Sequence, residues 1–232
     1  MPSGGEVCVV GIDAKGQCIR PVCDGGFLKE YLSDAHGKAV VRHGAKVEFD
    51  LYPVGTRPPH IEDMEFEPRS ISGKGPCGSA EWEEVLHKSS LDSVQGIYGG
   101  HLQDRAWVAP DTRTRSIATL SGARILDIEL TTGNVKPRIT FVDQTGIQFS
   151  RPVSDLTLWD HCFSLVKRQG RNSAEVIGEL VSLLQNADRL YLRLGLARPW
   201  KRKDNGGEKC WLQVTGVYTF PDYMNGKCFA DF

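Results

Sequence analysis

The chain has 232 residues, of which 40% are hydrophobic and 25% charged, so there is enough apolar material for one or two folded cores. Its formal net charge is −1, which excludes the global basic excess of many nucleic-acid-binding proteins and leaves only a local cluster of cations for that role. No apolar run approaches the roughly 18 residues of a membrane-spanning helix, and the first residues lack the pattern of a signal peptide. The seven cysteines are odd in number and include no Cys-x-x-Cys pair. We therefore expect a cytoplasmic protein with free thiols and no membrane contact.

Short β-rich runs separated by tight turns dominate the first half of the chain. Runs over 7–12 and 17–22 flank Asp13 and Gly16, and this spacing predicts a hairpin because glycine readily adopts positive φ. Alternation of apolar and charged residues predicts a further strand over 45–52. The other elements predicted here are a short helix over 27–37, a strand over 39–42, a helix over 80–88 and strands over 105–109 and 116–120.

The second half adds strands over 123–130, 137–142 and 147–153, and a helix over roughly 155–168. The clearest helix lies near 173–186, where Asn172 is a candidate N-cap and the apolar residues form one stripe. A strand over 189–197 follows, with its leucines on one face and Tyr191 and Arg193 on the other. The last predicted strand runs over 210–220.

Two segments of the chain share one pattern. Residues 9–22 and 140–153 each read as strand, Asp-x-x-Gly turn, strand and Arg-Pro-Val. The segments around them occur in opposite order in the two halves, so this is no simple tandem duplication. The pattern favours a mostly β protein with two barrel-like units of similar construction. A third Arg-Pro pair occurs at 198–199, which predicts three guanidinium groups at strand ends.

The segment Cys18-Ile-Arg-Pro-Val22 resembles the signature near the start of the dual OB-containing domain of bacterial conflict-system proteins. Residues 192–200, followed by a strand around 210–214, resemble the closing strands of that domain. The resemblance implies two small OB-like β-barrels packed together with two or three peripheral helices. The first barrel would span 1–118 with a helical insertion, and the second 119–232 with an amphipathic helix. It also implies recognition of nucleic acid or nucleotides without catalysis. The helical segments at 79–90 and 172–187 and the acidic overall balance depart from a minimal pair of barrels.

Cations and aromatic residues are interleaved over 189–203, a combination that suits phosphate groups and stacked bases. OB-type barrels bind oligonucleotides on a strand face with flanking loops. The predicted nucleic-acid-binding residues are Arg20, Arg151, Tyr191, Arg193, Arg198, Trp200, Lys201, Arg202 and Lys203.

No Walker motif and no Gly-x-Ser-x-Gly motif is present, and the histidines and cysteines lack the spacing of a metal site, so we expect no cofactor and no bound metal.

The leading hypothesis is a nucleic-acid- or nucleotide-binding module that acts as an accessory or sensor protein of a bacterial defence system. One alternative is a metal-dependent enzyme acting on nucleic acid or nucleotides, with Asp13, Asp143 or His60 and its acidic neighbours Glu62 and Asp63 in its site. Another is a protein–protein adaptor that uses the leucine-rich helix face over 176–184 or exposed aromatic residues as its interface. Turn formation explains Asp13 and Asp143 without catalysis.

Overall fold

The computed structural model describes residues 5–24, 26–201 and 207–232, and these residues form a mostly β protein. In chain order the strands are β1 (Glu6–Val7), β2 (Gly11–Ile12), β3 (Cys18–Val22), β4 (Phe27–Leu28), β5 (Ala45–Glu48), β6 (Leu51–Pro53), β7 (Asp63–Phe66), β8 (Ser72–Pro76), β9 (Ser90–Leu91), β10 (Trp107–Val108), β11 (Ile117–Ser121), β12 (Arg124–Leu130), β13 (Pro137–Val142), β14 (Gln148–Pro152), β15 (Arg189–Leu196) and β16 (Cys210–Phe220). The α-helices are α1 (Ser79–Lys88), α2 (Val94–Tyr98), α3 (Leu156–Phe163) and α4 (Ser173–Gln185).

The largest sheet has five strands in the order β10-β16-β15-β11-β9. Its centre is the long antiparallel hairpin of β15 and β16, which contains a bulge near Arg193 and Leu194. A second sheet, β12-β13-β14, approaches it through a parallel bridge between Val153 and Val214. The backbone N–H of Ser154 also donates to the Val214 carbonyl at 2.8 Å. The sheets are curled and include a half-barrel.

The strands β1 to β8 form the N-terminal part of the molecule, whose main sheet has the order β2-β3-β7-β6. Within it, β3 and β7 pair in parallel, and Arg20 lies opposite Asp63. The core of this part is aromatic, with Phe27 and Phe66 stacked at 4.9 Å between ring centroids and Phe49 packed edge-on against both. Such aromatic pairs stabilise a small core beyond the area that they bury.

The central strand of the five-stranded sheet, β15, is covered on both faces. Its leucine-bearing face packs into the main hydrophobic core with α2, α3 and α4, and its other face meets the N-terminal part. At this second contact, Leu86 of α1 packs against Tyr191 and Phe220, with Trp82 and Ile12 beside them. Because both faces are covered, six consecutive residues of β15 from Tyr191 onward are buried.

Several local predictions are confirmed. Asp13 and Asp143 each form the predicted Asp-x-x-Gly turn, in which a carboxylate oxygen accepts backbone N–H groups two and four residues later. Gly16 and Gly146 adopt the positive φ values of +78° and +79° that these turns need. Asn172 caps α4 by accepting from the Ala174 N–H at 2.8 Å. All seven cysteines are free.

Other local predictions are wrong. The segment over 27–37 forms β4 and a 3-10 helix of four residues, Lys29–Leu32, so the predicted helix is much shorter than expected, and 39–42 is not a strand. The side chain of Phe27 packs in the aromatic core, and this tertiary packing overrides the weak helical pattern of the segment. The division at 118/119 stays a prediction, although β9, β10 and β11 pair in one sheet with β15 and β16.

Candidate functional site

The loop 197–209 joins β15 to β16 and is described apart from residues 202–206. Its two ends are held together by paired backbone hydrogen bonds between Trp200 and Lys209. The Ala197 N–H donates to the Trp211 carbonyl at 2.8 Å, and the Leu212 N–H donates to the Ala106 carbonyl at 2.8 Å. These bonds place the base of the loop beside β10.

Three tryptophans and a lysine gather at this end of the sheet. Trp107 and Trp211 are directly paired across β10 and β16, so their side chains lie on the same face. The ring centroid of Trp200 is 6.5 Å from that of Trp211. The Lys209 Nζ lies 4.2 Å from the Trp107 centroid and 5.4 Å from the Trp211 centroid. We call Trp107, Trp200, Lys209 and Trp211 the tryptophan face.

The tryptophan face is open to solvent at its outer edge. Trp200 is 48% exposed, which is unusual for so large an aromatic side chain. Lys209 is attracted to the two neighbouring rings by their electron-rich faces, which fixes a cation among the aromatic groups. The exposed Lys201 follows on the same loop, and Glu208 is the one acidic residue among its described positions.

Two of the three predicted guanidinium groups share a carboxylate. Arg20 and Asp63 are brought opposite each other by the parallel pairing of β3 and β7, and Arg20 Nη2 lies 2.5 Å from Asp63 Oδ1. Arg198, just beyond β15, places Nη1 at 2.7 Å from Asp63 Oδ2. Asp63 thus links the N-terminal part to the base of the 197–209 loop. The Arg20 side chain is 6% exposed, whereas that of Arg198 is 55% exposed.

His60 lies next to this ion-pair cluster and is buried. Burial, followed by the charges of Arg20 and Arg198, lowers the pKa of His60 to about 3. The imidazole is therefore neutral at physiological pH. The cluster has a net charge of +1, because it contains two guanidinium groups, one carboxylate and one neutral ring. The exposed side chain of Arg198 presents that charge near the tryptophan face.

The remaining predicted site residues are dispersed. Tyr191 and Arg193 are each 2% exposed, so the prediction of an open Tyr/Arg strand face is wrong: α1 and the N-terminal part cover it. Arg151 does not join the other two Arg-Pro sites, because it donates a hydrogen bond from Nη2 to the Arg105 carbonyl. Arg202 and Lys203 lie outside the described residues.

Sequence reasoning did not select Trp107, Lys209 or Trp211, and it considered Asp63 only in the enzyme alternative, as an acidic neighbour of His60. The signal for Lys209 and Trp211 was present, since Cys210, Leu212 and Val214 alternate with Lys209, Trp211 and Gln213. The apolar set is buried in the core, and the other set therefore lies on the second face. Asp63 gave no such signal, because its partners are 43 and 135 residues away.

The residues proposed for the enzyme alternative have other roles in the structure. Asp13 and Asp143 shape their turns, and Asp143 Oδ2 additionally accepts from the Val94 N–H at 3.0 Å. The described ranges contain no group of three or more His, Cys, Asp or Glu side chains arranged to hold a metal ion.

The helix face proposed for an adaptor is largely internal. Val176, Leu180 and Leu184 are buried in the main core, and Gln185 donates to the Ile125 carbonyl of β12 at 2.9 Å. Leu183 is the exposed member of the predicted stripe, at 49%.

Comparison of the chain with protein-family models, curated proteins and solved structures gave no match. In the part of the chain that the structure describes, no helix combines the length and apolar character needed to cross a membrane.

Proposed function

We propose that this protein binds single-stranded nucleic acid on the tryptophan face. The observation that carries the proposal is the half-exposed Trp200 ring beside Trp211, with Lys209 held between Trp211 and Trp107. Sites for single strands combine aromatic platforms for bases with cations for the backbone. Bases of any sequence stack on such rings, so we expect little sequence preference.

The charges around the tryptophan face favour an anionic ligand. Lys209 and Lys201 lie on the loop, and the Arg20–Asp63–Arg198 cluster contributes a net +1 at its base. Two carboxylates oppose them: Glu208 lies on the same loop, and Asp104 accepts from Trp107 Nε1 at 3.2 Å. Together these groups leave an excess of one positive charge. The global charge of −1 does not oppose this, because exposed charges act over about one Debye length, roughly 8 Å at physiological ionic strength.

In this proposal each half of the chain is an OB-like barrel, and the protein is an accessory or sensor component of a bacterial defence system. Support comes from the curled sheets, from the two similar Asp-turn hairpins and from the resemblance at 18–22 and 192–200. OB-type barrels bind oligonucleotides on a strand face and its flanking loops, and the tryptophan face consists of strand ends and one loop.

Fluorescence anisotropy with a labelled single-stranded oligonucleotide, read at 50 and 200 mM salt, tests the binding site. We expect Trp200→Ala to weaken binding roughly 5- to 150-fold, since one stacked base contributes about 1–3 kcal/mol. Lys209→Ala should weaken binding and lower the slope of log K against log salt by about 0.7, the amount expected for one lost phosphate contact.

Tyr52→Ala is the matched control, because Tyr52 is a 54% exposed aromatic residue on β6 in the N-terminal part. It should bind as the unmodified protein does. Equal losses in Trp200→Ala and Tyr52→Ala, or no binding of DNA or RNA at 50 mM salt, would refute the proposed site.

A further inference from the structure

Arg193 is a buried cation in the middle of the five-stranded sheet. It lies on β15, on the face toward the N-terminal part, and is 2% exposed. Its Nε and Nη1 atoms are buried and have no hydrogen-bond partner among the described residues. The guanidinium lies near the Tyr218 ring, whose centroid is 5.9 Å from Cζ. A buried charge is costly unless it is paired and hydrogen-bonded, so this site needs an acceptor.

The carboxylates in its surroundings accept hydrogen bonds from other groups, and none of them is paired with Arg193 among the described residues. The charge of Arg193 acts on Cys18 and Tyr218, and the acidic groups that act on the same two residues are Glu62, Asp13 and Asp155. The Glu62 carboxylate accepts from the Ser116 N–H and hydroxyl. Asp13 is bound within its own turn, and Asp155 accepts from the start of α3 and from the Val217 N–H.

The phenol of Tyr218 and the thiol of Cys18 beside Arg193 are neutral at physiological pH. Burial raises the pKa of Tyr218 to about 12 and also raises the pKa of Cys18. Neither the phenol nor the thiol therefore supplies the missing negative charge.

A second unpartnered donor stands next to Arg193. Thr119 on β11 is its direct cross-strand partner, so both side chains lie on one face of the sheet. Thr119 is fully buried, and its Oγ1 has no hydrogen-bond partner among the described residues. The Nε and Nη1 donors of Arg193 and this hydroxyl thus lack acceptors among the described residues and lie on the same buried surface.

We propose that Arg193 and Thr119 bind a small inorganic anion between the sheet and the N-terminal part. Chloride and a single phosphate ion share the required chemistry, which is a compact acceptor for N–H and O–H groups. The site is distinct from the tryptophan face, because so deeply buried a guanidinium is out of reach of an oligonucleotide backbone. The anion would act as a structural ligand that stabilises the contact between the two parts.

Thermal unfolding at constant ionic strength tests this, with sodium gluconate replaced stepwise by sodium chloride or sodium phosphate. Since a ligand that binds only the folded state stabilises it, Tm of the unmodified protein should rise with the anion concentration. A response to chloride alone, to phosphate alone or to both supports the site and identifies its ligand. No response to either ion overturns it.

Arg193→Met removes the cation and keeps much of the side-chain volume. We expect its Tm in gluconate to equal or exceed that of the unmodified protein, and the rise with the anion to be lost. Arg189→Met is the matched control, because Arg189 lies on the same strand with a 68% exposed side chain. Its Tm should still rise with the anion concentration. Equal rises in all three proteins would show nonspecific screening and overturn the proposal.

Thr119→Val tests the site without removing the charge of Arg193. It also keeps the test decisive if Arg193→Met does not fold. The variant preserves the shape of the side chain and removes the hydroxyl donor. We expect a folded protein that needs several-fold more anion for the same rise in Tm. An anion response identical to that of the unmodified protein would contradict the role of Thr119.

Discussion

Replacing Asp63 by Asn should lower the free energy of unfolding by about 3–5 kcal/mol, because it leaves the buried Arg20 without its counter-charge. Asp63 is 8% exposed and Arg20 is 5% exposed, so water cannot replace the lost partner. Arg198 adds little to the loss, since its half-exposed side chain is solvated. Urea denaturation of the two proteins at neutral pH measures the difference.

The exposed pair of Arg57 and Asp111 supplies the control. It is also an arginine–aspartate pair, in which Nε and Nη2 of Arg57 donate to the two carboxylate oxygens of Asp111, but its side chains are 72% and 56% exposed. Asp111→Asn should therefore cost no more than about 1 kcal/mol. The double variant Arg20→Met with Asp63→Leu should recover much of the loss, because it removes both buried charges. Similar losses for Asp63→Asn and Asp111→Asn would contradict the account of this cluster.

Asp155→Ala should cost about 3 kcal/mol, the second largest effect that we expect. The Asp155 carboxylate is buried, and its Oδ1 caps α3 by accepting from the Thr157 N–H at 3.0 Å. Its Oδ2 accepts from the Val217 N–H of β16 at 2.9 Å, so one side chain ties the helix to the sheet. The loss combines a helix cap, about 0.5–2 kcal/mol, with an unsatisfied buried N–H, about 1–3 kcal/mol.

Asn172→Ala is the control for Asp155→Ala in the same denaturation experiment. Asn172 also caps a helix, but its side chain accepts from the Ala174 N–H at the exposed start of α4 and does not tie the helix to a strand in the described part of the chain. Its removal should cost about 1 kcal/mol. If the two variants lose equal stability, the bond from Asp155 to β16 contributes nothing.

Features that depend on a few neighbouring residues were predictable from the sequence. The turns at Asp13 and Asp143, the Asn172 cap and the β15–β16 strand pair each follow from local patterns. A side chain that satisfies nearby backbone groups needs no information from elsewhere in the chain.

Features that depend on distant pairing were not predictable. The parallel register of β3 and β7 places Arg20 opposite Asp63 across 43 residues, and nothing in either segment specifies this partner. The alternation in β15 correctly gave two faces, but it could not show that α1 and the N-terminal part cover the second one. For that reason Tyr191 and Arg193 are internal, whereas Trp200 is open to solvent.

The most direct test of the binding proposal is to find which residues contact the bases. A single-stranded oligonucleotide containing 5-bromodeoxyuridine, bound at low salt and irradiated, is cross-linked to adjacent aromatic residues, and mass spectrometry of the peptides locates the bonds. We predict cross-links on Trp200 and Trp211, lost from position 200 in Trp200→Ala. Cross-links confined to Tyr52 and its neighbours on β6, or no cross-links at all, would contradict binding on the tryptophan face.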